Sequence, residues 1–144
     1  MDDDRELLIE NIQLGGDTWG IRVYSNGDLE VLSDRFSKFE NDEVVNYSQP
    51  LEWRWQISLT AQEVDHLLDI IQNCGILQLP PLMPSEIPES NPLQTTWRII
   101  LDGKEKMIQT VGSQSANHPI FNQLSQEIQE AKMRAMKPRP KRRR

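Results

Sequence analysis

Asp65, His66 and Asp69 fall within one short helical stretch, "TAQEVDHLLD", and are the residues of this 144-residue chain best placed to do chemistry. His66 and Asp69 are three apart, so a helix sets them on one face, where an imidazole and a carboxylate could share a proton or hold a metal ion. Two ligands are too few for zinc, and the second histidine, His118, stands at no spacing that points back to them. Cys74 near the end of the same stretch could be a nucleophile only beside a base, and its sequence neighbours supply none. A Gly-rich phosphate loop, a paired Cys motif and a Gly-x-Ser-x-Gly elbow are all missing. The residues read as a solvated helix face and a small core thiol, with no catalytic, cofactor or metal site expected and no enzymatic activity.

The stretch that carries them is strongly punctuated. Thr60 stands where an N-cap belongs and Glu63 follows three positions later, the spacing of a reciprocal capping box. Val64, Leu67, Leu68 and Ile71 repeat at the spacing of one helical face, and Gly75 offers a left-handed stop, so a helix is expected over roughly 61–74. Strands should precede it. "LLIENIQLGG" reads as a first strand ending at Gly15-Gly16, and "DTWGIRVY" and "LEVLS" flank Asn26-Gly27, a pair suited to a type I′ hairpin. Residues 34–50 read as a polar loop. In "LEWRWQISL", Leu51, Trp53, Trp55, Ile57 and Leu59 alternate with polar residues, which predicts one dry and one wet face and at least one deeply buried tryptophan.

Beyond the helix, five of the nine prolines lie between Pro80 and Pro92, predicting an extended crossover over the surface. A second hairpin, "TTWRIILDGKEKMIQTV", turns at Asp102-Gly103. A final helix opens at Pro119 and carries the stripe Ile120, Phe121, Leu124, Ile128 and Ala131. The fold class expected is α+β: an antiparallel sheet of about five or six strands built from two hairpins, with two helices packed on one face.

Composition bounds the rest. With 37% hydrophobic and 26% charged residues the chain can build one core, taken as a single domain over 1–136. Residues 137–144, "KPRPKRRR", hold six of the 16 Lys and Arg, leaving 10 bases against 22 acids in the body. That tail is expected to be disordered and idle, and the acidic body is expected to repel nucleic acid. One cysteine, no apolar run of about 18 residues and an acidic start predict a reducing cytoplasm and no membrane partner.

The segment "ISLTAQEVDHLLDIIQNCGILQLPP", with the Trp-bearing strand and Asp-Gly hairpin that follow, resembles the emfourin-type small proteins over residues 55–112. That resemblance implies a compact α/β module that inhibits thermolysin-like metalloproteases. In overall habit the chain is also similar to assembly chaperones of carboxysomes in photosynthetic bacteria, which hold the tail of a shell protein. The function expected is that of a non-enzymatic binding module, an assembly chaperone or adaptor that captures an extended peptide of a partner protein, with inhibition as the alternative. Its partner-binding residues are expected to be Trp19 and Trp97 on the two hairpins and Leu82 and Met83 on the crossover, lining a cleft between them.

Overall fold

In the computed structural model, residues 5–14, 18–87 and 89–136 are described. The chain is α+β. It runs β1 (Leu7–Leu14), β2 (Trp19–Tyr24), β3 (Asp28–Glu40), β4 (Glu43–Ser58), α1 (Ala61–Asn73), β5 (Leu82–Pro84), β6 (Gln94–Leu101), β7 (Lys104–Val111), α2 (Ser113–Ala116) and α3 (Pro119–Met136), with a 3₁₀ turn at Ile76–Gln78 after α1. The strands form one seven-stranded sheet in the order β4-β3-β2-β1-β6-β7-β5. All neighbours are antiparallel except β5 and β7. The sheet is therefore mixed and larger than the antiparallel five or six strands expected, because the proline-rich crossover adds β5 and because β3 and β4 are both long.

The sheet face that packs against the helices presents Ile9, Ile21, Val23, Leu29, Trp97, Ile99 and Ile108, all buried. Against it lie Val64, Leu67 and Ile71 of α1 and Phe121, Leu124, Ile128 and Ala131 of α3, the two stripes expected from their periodicity. Trp97 stacks on Phe121 with ring centroids 5.7 Å apart, which fixes α3 over the centre of the sheet.

The local signals held with two refinements. The Glu63 amide donates to the Thr60 hydroxyl at 3.1 Å as expected, but the Glu63 carboxylate binds Arg134 of α3 instead of returning to Thr60. At the first hairpin only Gly27 has positive φ, and its amide donates to the Tyr24 carbonyl, so Ser25 and Asn26 form an ordinary turn followed by a glycine bulge, not a type I′ turn. A Cβ at Gly27 would collide with the Leu59 carbonyl, and the Leu59 amide donates to Gly27 O at 2.8 Å. At Asp102 and Gly103 both residues do have positive φ, the type I′ pattern.

Two expectations fail together at β4. Residues 34–50 are not a loop: they are the outer halves of β3 and β4, joined at Asn41 and Asp42, whose φ values of 49° and 63° make a two-residue turn. Trp53 and Trp55 do not face the core. Leu29 pairs with Ile57 while Glu30 pairs with Trp55, so Gln56 is an extra residue in β4 and the alternation slips by one. Ile57 stays inward, whereas both tryptophans turn to the face that none of the described helices covers. Trp55 is 60% exposed and Trp53 half-buried, so neither is deeply buried.

Candidate functional site

The arm formed by the outer parts of β3 and β4 is where the molecule leaves most apolar surface and most unpaired backbone. β2 pairs with β3 only from Leu29 to Leu32, so beyond Ser33 the two-stranded arm stands clear of the rest of the sheet. Among the described residues β4 is the terminal strand, and no strand lies along its outer side over Glu43–Ser58.

Cross-strand pairs explain why an isolated ribbon forms. Phe36 stacks on Tyr47 with centroids 5.3 Å apart, the Ser37 hydroxyl donates to Asn46 at 2.6 Å, and the Tyr47 hydroxyl donates to Glu40 at 2.6 Å. A second irregularity, between Ser33 and Arg35, kinks the arm at its root. The carbonyls freed there are taken by Arg54, which donates to Ser33 O at 3.1 Å and Pro50 O at 2.8 Å, and by Gln49, which donates to Ser33 O at 2.9 Å. Charged and amide side chains thus rigidify the root and leave Phe39, Val44, Leu51 and Trp55 exposed along the ribbon.

The root adjoins an ion-pair network on the uncovered sheet face. Glu10, whose side chain is 6% exposed, accepts from Arg22 at 2.7 Å and from Arg98 at 3.3 Å. The Arg22 guanidinium lies 3.9 Å from the centre of the Trp53 ring, and Trp53 covers Gly20, where a Cβ would crowd both the indole and the Asn11 carbonyl. Burial pushes the Asp28 carboxyl up, but hydrogen bonds from Asn26, Ser58, Trp55 and Arg5 outweigh it and hold the group below the usual range.

The four residues expected to bind a partner do not share one cleft. Leu82 and Met83 sit on β5, in register with Gln109 and Thr110 of β7, and β7 itself stands between them and Trp97 on β6. Leu82 is 55% exposed, while Met83 packs on the core. Trp97 is buried beneath α3. Trp19 and Trp97 flank β1 from either side, and together with Asn11 and Ser125 they line a small cleft between the sheet and α3.

The residues with catalytic potential are also kept apart. His66 Nε2 lies 3.2 Å from Glu127 and joins α1 to α3; His118 Nδ1 accepts the Ile120 amide at the start of α3; Cys74 is half-buried at the end of α1. Among the described residues no three His, Cys, Asp or Glu side chains gather as a metal-binding set, and no helix is long and apolar enough to cross a membrane.

The arm escaped sequence reading because its apolar residues are separated by charges and because two irregularities break its alternation. Asn41-Asp42 was the available signal, a two-residue turn pair between segments rich in aromatic and β-branched residues. The chain matches no protein-family model, and none of the curated proteins matches it.

Proposed function

We propose that this chain is a non-enzymatic protein-binding module, an adaptor or assembly chaperone that adds an extended segment of a partner protein as a further strand along the outer edge of β4. The observation that carries this reading is the unpaired edge of a 16-residue terminal strand bearing exposed Val44, Leu51 and Trp55. A long apolar edge left open invites aggregation unless it is blunted or occupied. Here it is only partly blunted: Pro50 interrupts the row of amides near the middle, and Glu43 and Glu52 add charge. Main-chain hydrogen bonds would give such a complex its affinity, and the side chains on either side of the edge its selectivity. Trp55 is the natural anchor, since aromatic residues dominate the energetics of most interfaces.

Panning a random peptide library on the intact protein tests this reading. Selected peptides should bind the unaltered chain and lose at least about tenfold in affinity to a Trp55→Ser variant, the equivalent of about 1.4 kcal/mol. Peptides insensitive to Trp55→Ser, or a selection that yields none, would contradict it. So would a fall in the activity of a thermolysin-like protease on adding the chain at equimolar excess, which would make the module an inhibitor.

A further inference from the structure

Asn11 poses a different question on the helix-covered side of the sheet. It is 5% exposed, its neighbours across the strands are Ile21 and Trp97, and its Oδ1 is a buried acceptor with no hydrogen-bond partner among the described residues. An orphaned buried carbonyl carries a desolvation cost that a well-packed apolar side chain at the same place would avoid. The site is also not closed. Asn11 lines two adjoining hollows between β1, β2, β6 and α3: one of about 10 Å³, enough for one donor group or one water, and one of about 170 Å³. Trp19, Trp97 and Ser125 border both, and the larger is bordered also by Phe121, Asn122 and five further uncharged residues, among them the polar Gln13, Thr95 and Asn117. Among the described residues no charged side chain lines either hollow.

From this juxtaposition we infer that the Asn11 cleft is a binding site for one neutral, flat ring that carries a hydrogen-bond donor, with the donor directed to Asn11 Oδ1 and the ring lying against Trp19. Each element of the inference has its own ground. The acceptor needs a donor; the Trp19 indole favours an aromatic face; a lining without charge among the described residues disfavours an ion, whose desolvation it would not offset. The larger hollow is below the roughly 300 Å³ at which drug-sized pockets begin, so a single indole or phenol ring suits it better than a nucleotide or a chain of sugars. Such a ring could be a free metabolite or a Trp or Tyr side chain of another protein. The site is independent of the β4 edge, so it can stand or fall separately.

The test is a titration of the full chain, followed through the Asn11 side-chain amide and Trp19 indole resonances, with indole and with 1-methylindole, which has the same ring but no donor. Indole is expected to give saturable shifts at both residues, and 1-methylindole to bind about tenfold more weakly, the value of one neutral hydrogen bond made in a buried place. In Asn11→Leu that preference should vanish. N-acetyltryptophanamide separates the sources: a site for a protein side chain accepts it, whereas a site for a free ring takes indole and excludes it. Equal binding of the two indoles by the unaltered chain, no saturable shift with either, or a preference that survives in Asn11→Leu would overturn the inference. The comparison on the unaltered chain decides the matter even if the variant fails to fold.

Discussion

Trp53 and Trp55 are two residues apart on the same strand face, yet they meet different surroundings, and the difference is measurable. Trp53 is half-buried over Gly20 with Arg22 stacked on it, so Trp53→Ala should lower stability by about 2 kcal/mol. Trp55 is mostly exposed, so Trp55→Ala should cost under about 1 kcal/mol. Urea unfolding of the two variants checks this; losses of about 3–5 kcal/mol in both would put the two tryptophans on the core side with Ile57 and remove the bulge at Gln56. Glu10 is the other residue on that face whose removal should be felt. Glu10→Gln keeps the shape but leaves Arg22 and Arg98 without their shared charge, with an expected loss of about 2 kcal/mol. An unchanged urea midpoint would mean that solvent already screens the pair. Single residues of this kind were readable only in part. Alternation put Leu51, Trp53, Trp55, Ile57 and Leu59 on one face, but a bulge depends on pairing with another strand, and no periodicity within β4 could reveal where its partner slips.

At the scale of elements, local grammar was legible and long-range pairing was not. Thr60 and Gly75 marked the ends of α1, Pro119 the start of α3, and Asp102-Gly103 a hairpin, because caps and turns depend on residues near in sequence. The destination of the Glu63 carboxylate was not legible, since Arg134 is 71 positions away. That bond has a consequence in acid. Hydrogen bonding to Arg134 holds the Glu63 carboxyl below the usual carboxylate range. A depressed folded-state value means that the contribution is fully present above the ordinary pKa of an unfolded glutamate and is lost as pH falls through the folded one. Stability should therefore drop between about pH 5 and pH 3 partly through this pair, and Arg134→Ala should make that drop shallower. Urea midpoints at the two pH values, in the parent chain and in Arg134→Ala, give the answer; parallel losses would remove Glu63 from the account. The four partner-binding candidates do not line one cleft for the same reason as Glu63: the sequence showed that the crossover must reach the second hairpin, but not that β5 would join the far side of β7 and leave Leu82 and Met83 on other strands than Trp19 and Trp97.

Among the described residues, the molecule has a sheet with α1 and α3 on one face, a second face on which arginines and carboxylates pair with one another, and a long edge at β4. The basic run 137–144 lies outside the described residues, and its expected idleness remains a matter of charge arithmetic: if it drove association, affinity would fall steeply with salt and vanish on its removal. The central claim is that a partner's chain completes the sheet at β4. The most direct test is backbone hydrogen exchange on the intact protein, with and without a library-selected peptide, resolved by residue. Amides of Glu43–Ser58 that face outward exchange rapidly in the free chain on this account, and binding should slow them together, leaving β5, β7 and the Asn11 cleft unchanged. Protection confined to Leu82–Pro84 and β7, or centred on Trp19 and α3, or already complete in the free chain because a second copy occupies the edge, would contradict it.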